Sequence, residues 1–112
     1  MQKIPKLREL LYSLILFVFA SSVSADEAKM KMGKDLFNGK AMCAGCHILK
    51  AAGAEGQIGP NLDGLKPTYA QVVDIVTGGL GVMPAFGEDG ILTKAEIDSV
   101  SFYVAKSAGK LF

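Results

Sequence analysis

Both cysteines and the single histidine of this 112-residue chain lie in one segment, Cys43-Ala44-Gly45-Cys46-His47. A disulfide between Cys43 and Cys46 would close a loop of only two intervening residues, which removes little entropy from the unfolded chain. The pair is therefore a poor structural cross-link. Its position next to the histidine predicts that the segment carries chemistry, and the rest of the chain must fold around whatever it holds.

The first 25 residues have the pattern of a secretory signal peptide. Basic residues precede an apolar run over residues 10–20, and Val23-Ser24-Ala25 has the small-x-small form of a cleavage site. An uncleaved membrane anchor is the alternative, but a spanning helix needs about 20 apolar residues. We expect cleavage after Ala25 and export to the periplasm or to a compartment like the thylakoid lumen.

Cleavage would leave one domain, residues 26–112, in which 9 Lys against 10 Asp and Glu give a net charge of −1. This balance argues against nucleic acid as a partner. A core made of side chains alone is marginal at this size, and domains this small commonly add a disulfide, a metal or a cofactor. We therefore expect a bound group at the centre of the domain.

Two helices are marked by their N-terminal residues. Thr68 is followed three residues later by Gln71, and Thr93 by Glu96, so each pair forms a capping box. Gly78 and Gly79 would end the first of these helices. The second carries apolar residues at helical spacing, which predicts one buried face.

The remaining pattern predicts a third helix and long loops. Lys29–Phe37 is the predicted N-terminal helix, whereas residues 48–67 and 80–92 are rich in Gly and Pro. No segment alternates like a strand. Loops of this length are reasonable in a compact domain when they wrap a cofactor. The prediction is an all-α fold of three to four helices with long Gly-rich loops around one bound group.

The C-x-x-C-H string is the attachment signature of c-type haem. The two thiols would add across the haem vinyl groups, and His47 would donate a ring nitrogen to the iron. Two alternatives are weaker. A thioredoxin-like dithiol needs a strand followed by a helix, and a structural zinc site needs four ligands where this segment offers three. We expect one covalent haem c.

A sixth ligand to the iron must come from outside this segment, and a second histidine is not available. The methionines that remain after cleavage are Met30, Met32, Met42 and Met83. Met30 and Met32 lie on the first helix and are expected to pack in the core of the domain. Met42 is adjacent to Cys43, which ties it to the His47 side of the haem. Met83 follows His47 by 36 residues, enough chain to reach the other face of the ring. His/Met ligation favours the reduced state and suits electron transfer.

The sequence resembles a class I (mitochondrial-type) monohaem c-type cytochrome, close to the short soluble ones of bacteria and photosynthetic organisms. Gly33, Phe37 and Tyr103 match the aromatic and glycine positions where the family's first and last helices cross. Gly59-Pro60-Asn61-Leu62 resembles its G-P-x-L segment, and Val82-Met83-Pro84-Ala85-Phe86 resembles its M-P-A-F ligand loop.

This resemblance implies further site residues. The Pro60 carbonyl would accept the His47 ring N–H, and Leu62 would pack on the haem, alongside Met83 as the second axial ligand. The sequence departs from the family in two ways. Phe37 lies six residues before Cys43, where four is common, and no residue is clearly assigned to the haem propionates, with Tyr69 as the candidate.

The function implied is a soluble shuttle of single electrons between exported redox proteins, not an enzyme. The main alternative is a dedicated cytochrome subunit of a periplasmic dehydrogenase or oxidase. A haem peroxidase or sensor is a weaker alternative because it needs an open sixth position. Expected partners are a protein electron donor and acceptor. Contact with a membrane is expected only through partners or an uncleaved leader, and the protein is expected to be a monomer.

Overall fold

The structure, a computed structural model, describes residues 23–110. The apolar run of the predicted leader lies outside the described residues. The helices are α1 (Ala25–Asn38), α2 (Leu62–Leu65), α3 (Tyr69–Gly78) and α4 (Lys94–Ser107). Two short strands, β1 (Ile48–Leu49) and β2 (Ala54–Glu55), pair antiparallel. No helix within residues 23–110 is long and apolar enough to cross a membrane.

Both predicted capping boxes are confirmed. The Thr68 hydroxyl accepts the Gln71 N–H at 3.2 Å, and the Gln71 side chain accepts the Thr68 N–H at 2.9 Å. Thr93 and Glu96 make the same two bonds at the start of α4, at 3.2 and 3.0 Å. These bonds satisfy amides that have no partner within the helix, so the local sequence fixes where α3 and α4 begin.

α1 and α4 cross at Gly33, as the resemblance implies. A Cβ added at Gly33 would overlap the backbone carbonyl of Ser99 and the Cβ of Tyr103, so only glycine allows this approach. One turn further on, the rings of Phe37 and Tyr103 pack edge to face, with centroids 6.1 Å apart. Phe37 is fully buried. This crossing closes one side of the core.

The predicted core role of Met32 is wrong. Met30 is partly buried against the core, but Met32 is 49% exposed. Gly33, Leu36 and Phe37 are the buried residues of α1. Since each helical residue turns by about 100°, Met32 lies roughly 100° round from Gly33 and outside the arc that faces α4.

A polar cluster joins three helices on the surface. The Tyr69 hydroxyl at the start of α3 donates to Asp98 on α4 at 2.6 Å. The ammonium of Lys29 on α1 lies 2.9 Å from the other oxygen of the same carboxylate. Tyr69, the candidate for a propionate contact, therefore has its hydroxyl committed to Asp98.

Candidate cofactor site

One 3₁₀ turn, Cys43–Gly45, sets the geometry of the cysteine segment. Met42 before it takes a left-handed conformation, with φ of 53°. The amides of Cys46 and His47 both donate to the Cys43 carbonyl, at 3.1 and 2.9 Å. Both thiols are free and partly buried. The turn thus gathers the two thiols and the imidazole within one compact segment.

The His47 ring is held by the loop that follows β2. Its Nδ1 atom lies 2.8 Å from the Pro60 carbonyl oxygen. A carbonyl can only accept, so Nδ1 donates its proton to Pro60, and Nε2 is the ring nitrogen that remains to bind a metal. The contact also fixes the plane of the ring.

Gly59 makes this contact sterically possible. A Cβ at this position would lie between 2.5 and 3.0 Å from three atoms of the His47 ring. The Gly59 amide also donates to the Cys46 carbonyl at 2.6 Å. The backbone at Gly59 therefore packs flat against the imidazole, and any side chain there would push the ring away.

Gly56 has a similar role behind the cysteines. A Cβ there would lie 2.6 to 2.7 Å from backbone atoms of Gly45 and Cys46. Its amide donates to the His47 carbonyl at 3.2 Å. Gly59 is the glycine of the segment that resembles G-P-x-L, whereas Gly56 carries no signal in the sequence beyond being a glycine. The contacts of both with the cysteine segment could not be predicted, because they depend on how the loop folds back.

Burial raises the pKa of the Cys43 thiol to about 11. A dithiol redox centre needs a cysteine whose pKa is lowered, because its reactive thiolate must form near neutral pH. The Cys43 environment therefore does not suit the thioredoxin-like alternative. A buried, apolar setting does suit a thiol whose sulfur ends in a thioether, which carries no charge.

Met83 follows a tight turn. Leu80 and Met83 exchange both backbone hydrogen bonds, at 3.2 and 3.0 Å, and Gly81 takes a φ of +59°. Met83 is partly buried and packs against the core, whereas Phe86 is buried and anchors the loop. The turn and Phe86 together hold the Met83 backbone on the connection between α3 and α4.

Leu62 is buried at the first position of α2. The side chain of Asn61 caps this helix by accepting the amides of Asp63 and Gly64, at 3.0 and 3.3 Å. The G-P-x-L segment thus delivers two features to the site at once. Its proline carbonyl points at His47, and its leucine enters the core.

These residues fit a covalently attached haem. The site offers two free thiols, an imidazole with one nitrogen committed to a carbonyl, and a thioether on a structured loop. Soft sulfur and imidazole nitrogen are the donors that haem iron takes in c-type cytochromes. The fold and the site therefore define a small monohaem c-type cytochrome.

Comparison with known proteins gives the same class. Residues 28–104 match the family model described as "Cytochrome C oxidase, cbb3-type, subunit III". Cytochrome c6 of Picosynechococcus sp. is 33% identical, over 92% of this chain and 94% of the relative. The crystal structure of the c-type cytochrome SorU from Sinorhizobium meliloti is 45% identical, with a TM-score of 0.70, and covers 75% of this chain and 95% of that one.

The chain belongs to this family of c-type cytochromes. It is a class I monohaem cytochrome that holds one covalently bound haem c and transfers electrons. The predicted class, fold and cofactor are thereby confirmed, and the zinc and dithiol alternatives fall away.

Proposed function

We propose that haem c is attached through thioethers to Cys43 and Cys46 and that His47 and Met83 are the axial ligands. The observation that carries this assignment is the 2.8 Å contact between His47 Nδ1 and the Pro60 carbonyl. It leaves Nε2 as the free donor of a ring whose orientation is fixed. Leu62 packs on the cofactor from the same loop.

The bound haem supplies one-electron chemistry, and the residues of the chain tune it. The Pro60 carbonyl draws on the His47 N–H and makes the imidazole a stronger donor, which favours the oxidised iron. The Met83 thioether favours the reduced iron. The proposed balance between these two ligands sets a potential suited to passing electrons, without conversion of a substrate.

The protein acts in this proposal as an exported carrier between a protein donor and a protein acceptor. Its leader is cut after Ala25, so that the cytochrome domain begins at Asp26. Ser24, whose hydroxyl caps α1 in the uncut chain, is lost with the leader. Asp26 and Glu27 remain in the first turn, where carboxylates favour a helix N-terminus. The N-terminal residue of the purified holoprotein, read by mass spectrometry, tests the cut site.

A second role, as a fixed electron-transfer subunit of a larger enzyme, is favoured by one observation. The family model that covers residues 28–104 is itself described as an oxidase subunit. A fixed subunit would remain with its enzyme through purification under native conditions. A carrier would elute alone, as a monomer of the mature mass.

Replacement of Met83 by Ala tests the axial assignment. Loss of the thioether opens the sixth position and removes a ligand that favours reduced iron, so the midpoint potential falls. The oxidised protein also loses its near-infrared Met–iron absorption band. Met32→Ala is the matched control, because this methionine is half exposed on α1. An unchanged band and potential in Met83→Ala would exclude Met83 as a ligand.

Replacement of His47, Cys43 or Cys46 tests the attachment. The haem forms much of the interior of a domain this small, so we expect each variant to lose stable holoprotein. The measurement is haem retained by the exported protein after acid–acetone extraction. A soluble, folded and haem-free His47→Ala protein would contradict the proposal.

A further inference from the structure

We infer that Asp63 is a positioning residue for His47, acting through the Pro60 carbonyl. The inference rests on the proposed role of His47 as an axial ligand. Both oxygens of the Asp63 carboxylate accept backbone amides, and neither bonds the His47 ring. The carboxylate instead fixes how the segment that carries Pro60 lies against the segment that carries His47.

Two hydrogen bonds join the segment that carries Pro60 to the segment that carries His47, and both have the same sequence separation. His47 Nδ1 meets the Pro60 carbonyl at 2.8 Å, and the Lys50 amide donates to Asp63 Oδ2 at 2.9 Å. Each bond spans 13 residues of sequence. Residues 47–50 and 60–63 therefore run side by side, with one bond at each end. The Asp63 bond holds one end of this pairing, so it limits how far Pro60 can shift along His47.

The second oxygen of Asp63 anchors the pairing to the rest of the fold. Asp63 Oδ1 accepts the Gly109 amide at 2.8 Å, just beyond the end of α4. Gly109 has a φ of +77°. One carboxylate thus binds amides that are 13 and 46 residues away in sequence. Hydrogen bonds to an ionised acceptor are stronger than those between neutral groups.

The segment around Pro60 has little stability of its own. α2 is only four residues long, Leu62–Leu65, and an isolated helix of that length does not form in water. The Asn61 side chain orders its first turn. The bonds of Asp63 to Lys50 and Gly109, together with the burial of Leu62, attach that turn to other parts of the chain. Without the Asp63 bonds, backbone hydrogen bonding would hold the Pro60 carbonyl against the cysteine segment only from the Gly59 side, where the Gly59 amide donates to the Cys46 carbonyl.

Asp63→Asn is the direct test in the haem-loaded protein. The amide keeps the shape of the side chain but turns one acceptor oxygen into an NH₂ donor that faces a backbone N–H. We expect the Pro60–His47 bond to weaken. The imidazole then becomes a poorer donor, and the midpoint potential rises above that of the wild type. Exchange of the His47 ring N–H with D₂O, followed by NMR, speeds up about five- to tenfold, as for the loss of one hydrogen bond.

Lys50→Pro is a second variant that leaves the carboxylate in place. It removes the amide that donates to Asp63 Oδ2, together with the exposed ammonium side chain of Lys50. Lys50 begins a 3₁₀ turn and Leu49 before it is extended, with φ of −153° and ψ of 105°, so proline fits the backbone. We expect the potential and the exchange rate to move in the same direction as in Asp63→Asn.

Asp98→Asn is the matched control. It also removes a carboxylate that links distant elements, through Tyr69 and Lys29, but it lies outside the two paired segments. We expect lower thermal stability with an unchanged potential and an unchanged exchange rate.

The outcomes separate three cases. A raised potential and faster exchange in Asp63→Asn and Lys50→Pro, but not in Asp98→Asn, supports the inference. Lower thermal stability in Asp63→Asn with wild-type potential and exchange would make Asp63 merely structural and overturn it, as would equal shifts in Asp98→Asn. A wild-type spectrum without histidine ligation would overturn the proposed function itself.

Discussion

Ser101 lies in α4 with none of its surface exposed, and its hydroxyl has no hydrogen-bond partner among residues 23–110. A buried hydroxyl without a partner has lost its hydrogen bonds to water and gains none in the protein, so it lowers the stability of the fold. We expect Ser101→Ala to leave the free energy of unfolding unchanged or to raise it by about 1 kcal/mol, since alanine is also the better helix former. Thermal and denaturant unfolding of the holoprotein would measure this.

Ser107→Ala is the comparison for that variant. Ser107 is equally buried, but its hydroxyl donates to the Tyr103 carbonyl in the preceding turn. We expect this variant to lower the free energy of unfolding by about 1 kcal/mol, the usual loss for one hydrogen bond. If Ser101→Ala were the more harmful of the two, the Ser101 hydroxyl would have a partner after all.

The sequence predicts those site residues that belong to a short recognisable motif. The C-x-x-C-H string carries its own chemistry, and Pro60 was found because the segment around it resembles a known one. The structure does place the Pro60 carbonyl against His47. Asp63 gave no signal in the sequence, because its two partners are amides far along the chain. Any non-proline residue supplies a backbone amide, so no residue type marks such a bond.

The crossing of α1 and α4 gives a prediction at the scale of the elements. A methyl group at Gly33 would overlap Ser99 and Tyr103, so Gly33→Ala must push the helices apart. Overpacking of a core typically costs 1–3 kcal/mol, and we expect a loss of about 2–3 kcal/mol here. Far-UV circular dichroism during heating would show the melting temperature fall.

Gly64→Ala is the control for that variant. Gly64 lies in α2, and a Cβ there would come no closer than 4.0 Å to Asn61. Alanine restricts the unfolded chain and favours the helix, so we expect no loss, or a gain of up to about 1 kcal/mol. Equal losses in the two variants would mean that the approach of the helices at Gly33 is not what limits stability.

The cluster that joins α1, α3 and α4 predicts a dependence on pH. The hydroxyl of Tyr69, and then Lys29, hold the pKa of Asp98 below its ordinary value of 3.8. The stabilisation is therefore present above about pH 4 and is lost as the pH falls through the lowered pKa of the folded state. Because both charged side chains are about one-third exposed, we expect it to be about 1 kcal/mol or less.

Asp98→Asn tests this by removing the titrating group. We expect a lower free energy of unfolding than the wild type at pH 7, with the difference shrinking between pH 4 and pH 2. Unfolding by urea across that range provides the measurement. A constant difference at every pH would show that the carboxylate does not titrate with folding.

The starts of the helices could be predicted where a side chain hydrogen-bonds a backbone amide a few residues away. Thr68, Gln71, Thr93 and Glu96 mark α3 and α4 by contacts within three residues. The pair β1–β2 was missed because two residues per strand cannot show alternation. α2 was missed for a related reason. It is a single turn, which is too short to show helical periodicity in the sequence. It is ordered by the Asn61 cap and by hydrogen bonds to distant amides.

The distribution of charge over the whole domain bears on how it meets its partners. Residues 75–87 carry no charge, and they include the turn that precedes Met83. At that turn, Leu80 is 69% exposed and Val82 is 88% exposed. The lysines are spread along the chain without a cluster, so charge offers no strong docking site. We therefore predict that an electron-transfer partner, which in self-exchange is a second copy of this protein, contacts the apolar residues of this turn, close to the proposed ligand Met83.

Val82→Lys tests this contact through electron self-exchange between oxidised and reduced protein, measured by NMR line broadening. Burial of one valine contributes about 1.5 kcal/mol, which corresponds to roughly a tenfold change in association. Both copies in self-exchange carry the substitution, so we expect exchange to slow by at least that factor. Met32→Lys adds the same charge at a half-exposed methionine on α1, so any effect of net charge is common to both variants. Slowing in Val82→Lys alone would assign the contact to the turn before Met83. Equal slowing would assign the effect to net charge, and no slowing in either would move the contact to another face.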